Sequence, residues 1–136
     1  MKINTFFKFE VMVLQQTEQQ IETEVINWLN SKENCFAFKF PRGQKSATRR
    51  NTVRHSGNGV SDIICNVEIA GILFTVYIEV KKPGGKLRKS QHEFSERIKN
   101  MGGTYLVIHS VGELEECFHG ILQEIERRVL ISKIPW

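Results

Sequence analysis

Ile72-Leu73-Phe74-Thr75-Val76-Tyr77-Ile78-Glu79-Val80-Lys81 is the stretch on which the fold turns. It is rich in β-branched and aromatic residues, and Pro83-Gly84-Gly85 closes it, which together read as a strand. From Ile72 to Val80 it is almost continuously apolar, which predicts a central strand covered on both faces. Side chains two apart on a strand share a face, about 6–7 Å from one another. Glu79 and Lys81 therefore point together, a carboxylate beside an ammonium, out of an otherwise apolar strand. Burying such a pair is costly, so it needs either a local or a functional reason. A metal-dependent phosphodiesterase would supply the functional one.

Upstream, Ile63, Ile64, Val67 and Ile69 form a strand on either side of Asn66, and Gly71 turns the chain into the decisive stretch. Phe36, Phe38 and Phe40 alternate into an earlier strand stopped by Pro41. Before it, Thr17 opens a helix as N-cap with Gln20 as its capping-box partner, and Ile21, Val25, Trp28 and Leu29 recur at helical spacing. Asn30, Ser31 and Asn34 mark its end. Residues 41–58 read as a polar, basic loop and 83–89 as a Gly/Lys loop. Ser90 with Glu93 predicts a second capping box and a helix to about Asn100, ended by Gly102-Gly103. Tyr105 to Ile108 is a further strand. Ser110 with Glu113 caps a last helix, spanning about 112–130, whose apolar face is Leu114, Phe118, Ile121, Ile125 and Val129. Phe7, Phe9, Val11 and Val13 suggest a short strand or extended arm within 1–16. The order helix, three strands, helix, strand, helix implies an α/β fold with a mixed central sheet flanked by helices.

A chain of 136 residues, 40% hydrophobic and 25% charged, reads as a single domain over 1–136. No run of eighteen apolar residues exists, so no membrane span is expected. The N-terminus lacks the small-residue cleavage site of a signal peptide, which points to an intracellular protein. Cys35, Cys65 and Cys117 are too few and too widely spaced for a disulfide framework or a zinc site, and read as buried thiols. His55, His92, His109 and His119 show no metal-ligand spacing, and nothing suggests an organic cofactor. The net charge of +4 hides an asymmetry: residues 39–89 hold eleven basic and three acidic side chains, and the rest is net negative. The surplus falls in two runs free of acidic residues. Arg42, Lys45, Arg49, Arg50 and Arg54 form one; Lys81, Lys82, Lys86, Arg88 and Lys89 form the other. Two runs bracketing one candidate site suit a phosphate backbone better than a solvated loop.

Asp62 begins one strand and Glu79 lies near the end of the next. In an antiparallel hairpin those positions are neighbours, so the carboxylates can meet at one edge of the sheet. Magnesium takes oxygen ligands, commonly one or two carboxylates with waters and substrate phosphate. Asp62 and Glu79 suit it, and the Val80 carbonyl is a third candidate ligand. Such an ion lowers the pKa of water and neutralises developing charge on phosphate. Lys81 is placed to orient the water and stabilise the transition state. Glu-x-Lys alone carries little information; an ion pair on an exposed strand gives the same pattern, and Asp62 after Gly59 reads equally as a turn cap. The conjunction says more: Gly-x-x-Asp opening one apolar strand, Glu-x-Lys closing the next, then a basic loop and a helix bearing Gln91.

That conjunction resembles the PD-(D/E)xK nuclease superfamily. Within it, Gly59-Val60-Ser61-Asp62-Ile63, Ile78-Glu79-Val80-Lys81 and Ser90-Gln91 resemble the virus-type replication-repair nuclease (VRR-NUC) domain, over roughly residues 17–114. The resemblance implies a restriction-endonuclease-like core of one helix, three strands, a helix and a strand. It implies an active site of Glu18, Asp62, Glu79, Lys81 and Gln91, with Glu22, one turn along the same helix face, as the alternative to Glu18. Ser61 stands where the family usually has proline, a departure expected to alter strand entry more than metal binding. Arg49, Arg50, Arg54, Lys86, Arg88 and Lys89 become candidate phosphate contacts. The implied activity is a Mg²⁺- or Mn²⁺-dependent endonuclease. Stand-alone domains of this size resemble viral or phage proteins acting on branched DNA such as four-way junctions, for which a homodimer is the matching symmetry. A general or restriction-type duplex nuclease and a non-catalytic DNA-binding module are the rival expectations.

Overall fold

The structure, a computed structural model, describes residues 15–41 and 59–135. The expected N-terminal strand or arm and nearly all of the 41–58 loop lie outside the described residues. Seven elements follow in the expected order. They are α1 (Glu18–Asn30), β1 (Cys35–Lys39), β2 (Ile63–Ile69), β3 (Ile72–Val80), α2 (Lys89–Asn100), β4 (Thr104–Ile108) and α3 (Val111–Ser132). The sheet runs β1-β2-β3-β4. Its first two pairings are antiparallel and β3–β4 is parallel, with α2 as the crossover. This mixed sheet flanked by helices is the α/β arrangement expected, consistent with a restriction-endonuclease-like core.

Local chemistry accounts for the boundaries. The Thr17 hydroxyl accepts the Gln20 N–H, and the Gln20 side chain accepts the Thr17 N–H, closing the predicted capping box. β2 and β3 are joined by two residues, Ala70 and Gly71, both at positive φ (53° and 77°), the primed-turn geometry that suits the twist of a tight hairpin. Ser110 caps α3 by accepting the Glu113 N–H.

One expectation fails at the start of α2. The helix begins at Lys89, with Arg88 as cap and Ser90 already inside it. The Gln91 side chain accepts the Arg88 N–H at 2.8 Å, so the glutamine does the work assigned to Glu93. β3 departs in degree. It is covered on both faces only toward its C-terminal end, while Ile72 and Leu73 near the hairpin tip are exposed.

The two faces of the sheet differ. Ala37, Cys65 and Val76 lie in one cross-strand row and Ile63 and Ile78 in the next, all buried on one face with Val67 and Val80. α1 supplies Ile21, Val25 and Leu29 to this face, and α3 supplies Leu114, Phe118 and Ile125, giving the hydrophobic core. Trp28 meets Phe118 edge-on at 5.4 Å where the two helices touch. α2 lies on the opposite face, over β3 and β4. There Phe94 packs edge-on against Tyr77 and Tyr105.

Candidate active site

The register that aligns Ile63 with Ile78 puts Asp62 opposite Glu79 at the next step, on the α2 face. The alignment is sealed by reciprocal bonds. The Asp62 N–H donates to Glu79 Oε2 at 3.2 Å, and the Val80 N–H donates to Asp62 Oδ2 at 3.1 Å. Each carboxylate thus holds the other strand's backbone. Glu79 is 1% exposed. Its Oε1 accepts from the Gln91 side-chain amide at 2.5 Å and meets Lys81 Nζ at 3.3 Å. Charge-assisted bonds of this kind offset the cost of burying a carboxylate. The Glu-x-Lys pair is therefore not an ion pair on an exposed strand; Asp62, Glu79, Lys81 and Gln91 are all buried, side by side.

Three devices position this group. The Lys81 N–H donates to the Ile108 carbonyl at 3.0 Å, extending the β3–β4 ladder one residue and fixing where Lys81 leaves the sheet. Gln91 is clamped at both ends of its amide, accepting from Arg88 and donating to Glu79, so the first turn of α2 is tied to the carboxylate. Gly59, at φ +88°, lets the approach to β2 pass against the backbone of Ser90; a Cβ there would lie 2.1 Å from the Ser90 carbonyl oxygen. Ser61, at the position where proline is usual in the resemblance, is buried, and its hydroxyl donates to the Ile63 carbonyl at 2.9 Å. The serine thereby shapes strand entry through a local side-chain bond.

The two glutamates weighed on α1 have different partners, Glu18 on β3's exit and Glu22 on β1. Glu18 Oε1 accepts the Lys82 N–H at 3.1 Å, one residue beyond Lys81. Glu22 is buried against Lys39 Nζ at 2.6 Å, an ion pair between α1 and the end of β1. Lys86, Arg88 and Lys89 are exposed on the loop and first turn leading into α2, and Lys89 lies 3.8 Å from Glu93. Arg49, Arg50, Arg54 and His55 lie outside the described residues. His109 pairs with Glu113 at 3.0 Å, while His92 and His119 are exposed.

Periodicity did not reveal the aromatic wall beside Glu79. Tyr77, Phe94 and Tyr105 come from three elements, and only the β3–β4 register with the docked helix brings them together. Burial, and then the nearby Glu79 charge, push the Tyr105 phenol upward from its usual pKa. Its hydroxyl has no hydrogen-bond partner among the described residues.

As a donor set the site fits a hard divalent cation. Asp62 and Glu79 offer paired carboxylate oxygens, and Lys81 offers a positive charge beside them. Among the described residues no group of three or more His, Cys, Asp and Glu side chains could hold a metal ion. Two carboxylates, with waters and substrate phosphate completing the shell, are what magnesium ordinarily takes.

The family model described as the VRR-NUC domain matches residues 9–112. That span covers α1, the whole sheet, α2 and the start of α3. Among curated proteins no relative matches the chain.

Proposed function

The chain belongs to the VRR-NUC domain family, nucleases of the PD-(D/E)xK type, and from that premise we propose that it is a divalent-metal-dependent endonuclease hydrolysing phosphodiester bonds in branched DNA. The observation that carries this reading is the cross-strand pairing of Asp62 with Glu79, Lys81 lying 3.3 Å from the same glutamate. A four-way junction has approximate two-fold symmetry and needs two cuts, so the acting species is a homodimer. The protein works inside the host cell. Among the described residues no helix is long and apolar enough to cross a membrane.

Asp62 and Glu79, with the Val80 carbonyl, would hold Mg²⁺ or Mn²⁺. The cation supplies activation of water and neutralisation of phosphate charge. Lys81 donates from the same face as Glu79, orienting the attacking water in line with the scissile bond and stabilising charge on the pentavalent phosphorus. Gln91 holds the Glu79 carboxylate in one rotamer and presents its amide to water or phosphate. Glu18, bonded to the Lys82 N–H, steadies the chain where Lys81 leaves the sheet. Lys86, Arg88 and Lys89, with Arg49, Arg50 and Arg54, contact the backbone phosphates.

The test is a panel of labelled DNAs, comprising a four-way junction, flap, splayed arm and linear duplex, incubated with Mg²⁺ or Mn²⁺. Asp62→Ala and Lys81→Ala run alongside. Junction cutting by the wild type, reduced at least about a hundredfold in both variants, is expected. Equal cutting of every duplex would keep the chemistry and discard the junction role. Salt-sensitive binding with no cutting in either metal would replace the enzyme with a non-catalytic module. Independently of turnover, Mn²⁺ should raise the wild-type melting temperature and leave that of Asp62→Ala unmoved.

A further inference from the structure

The carboxylates share their face of the sheet with a row of aromatic rings that the catalytic proposal does not use. Phe36 and Phe38 alternate with the buried Ala37, so they project from the face opposite the core. The register places Phe36 opposite Asn66 and Phe38 opposite Ile64. The Phe40 N–H donates to the Asp62 carbonyl at 2.8 Å, which carries the same register on to Phe40 opposite Asp62. Three phenylalanines thus run along β1 for about 13 Å, one strand from Asp62 at a spacing of about 5 Å. Phe36 is 64% exposed and Phe38 37%, their ring centroids 5.6 Å apart. Among the described residues α2 packs over β3 and β4, through Phe94 on Tyr77 and Tyr105 and Gln91 on Glu79, and makes no comparable contact with the β1 side of this face.

Large exposed aromatics on one face of a sheet are costly to leave in water unless something covers them. Pairing of a second copy along the β1 edge is obstructed. The Asn30 side chain occupies the middle of that edge, donating to the Ala37 carbonyl at 2.9 Å and accepting the Ala37 N–H at 2.7 Å. Among the described residues the face itself is open. Through Phe40, opposite Asp62, it runs on to the acidic pair and to Lys81, whose Nζ lies 3.3 Å from Glu79, so a ligand spanning both combines negative charge with flat apolar groups. Beside Phe36, Asn66 and Thr75 form a polar pair, Oγ1 to Oδ1 at 3.0 Å, which presents hydrogen-bonding groups next to a ring.

We propose that Phe36, Phe38 and Phe40 form a stacking platform for unpaired bases of the nucleic acid whose phosphate is bound at Asp62, Glu79 and Lys81. Every base has a π-face, so stacking on such rings tolerates any sequence. Bases inside an intact duplex are already stacked and paired and cannot lie flat on the sheet. Bases at a branch point, nick or frayed end can. The platform therefore selects for unpaired structure next to the cleavage centre. This deepens the nuclease reading and rests on it.

The experiment measures binding apart from cutting. The full chain is titrated in EDTA, at fixed salt, against a splayed-arm DNA carrying 2-aminopurine at the branch and against a fully paired duplex of equal length. Phe36→Leu and Phe38→Leu keep apolar bulk and remove the ring; Phe38→Trp keeps a ring. The wild type and Phe38→Trp should bind the splayed arm more tightly than the duplex and quench 2-aminopurine. Each leucine variant should lose about tenfold in affinity for the splayed arm, with duplex affinity within about twofold of wild type. Unchanged affinities, an equal loss on both DNAs, or no quenching by the wild type overturns the proposal. A leucine variant that turns a dimer into a monomer by light scattering also overturns it, assigning the rings to a second copy. If wild-type protein shows the expected binding pattern yet cuts nothing with Mg²⁺ or Mn²⁺, the platform stands and the nuclease reading falls.

Discussion

Two residues around the acidic pair hold opposite thermodynamic positions. Gly59 is required where it stands: φ is +88° and the space a side chain would need is filled by the Ser90 carbonyl. Gly59→Ala should cost about 1–3 kcal/mol from backbone strain alone, with the steric overlap adding to it, read as a lowered urea midpoint. The loss should extend to activity, because the same contact sets the first turn of α2 against the strand that carries Asp62. Tyr105 carries the reverse liability. Its buried hydroxyl lacks a bonding partner among the described residues, whereas its ring packs against Phe94. Tyr105→Phe removes the unsatisfied oxygen and keeps the ring, so stability should hold or rise by up to about 1 kcal/mol in thermal unfolding. A clear loss of stability would show that the hydroxyl is satisfied in solution.

The strand elements impose a pH signature of their own. Cys65, in the middle of β2, is fully buried, and burial, with Cys35 beside it, pushes its thiol up to about 12. The folded state thus keeps its proton where the unfolded chain, near the ordinary value of 9, releases it. Stability should be undiminished below about pH 9 and decline as pH rises toward about 12, since there the unfolded state binds fewer protons. Urea midpoints at neutral and alkaline pH check this, and Cys65→Ala should show a shallower alkaline decline. Element order was largely legible in the residues because capping at Thr17 and Ser110, the Gly71 turn and strand alternation are local signals. The start of α2 was misread because Ser90 and Glu93 satisfy the capping pattern on paper, while Gln91 is bound by two partners at once, one of them distant in sequence. Asp62, Glu79 and Lys81 were readable as neighbours because a single hairpin relates them. The tyrosines and Phe94, and the burial of Glu22 against Lys39, depend on contacts between elements that no local pattern records.

For the molecule as a whole, stability is concentrated on the face away from the chemistry. Phe118 is almost fully buried, meets Trp28 edge-on and joins α3 to α1 under the sheet. Phe118→Ala should cost about 3–5 kcal/mol in chemical denaturation. Asp62, Glu79 and Lys81 all fall on the hairpin Ile63–Val80 or the one residue flanking each of its ends, and the hairpin is turned by Ala70 and Gly71 at the far end. Side chains alternate along each arm, so what keeps the two acids together is a parity, an even or odd count of residues, rather than any contact at the tip. The arms therefore behave like a ruler read at its far end. One codon inserted or lost between Asp62 and Ile69 would send Asp62 to the wrong side of the sheet or force a bulge, disabling the centre without touching any of its residues. In this hairpin the count of residues bears on the centre as much as their chemistry does.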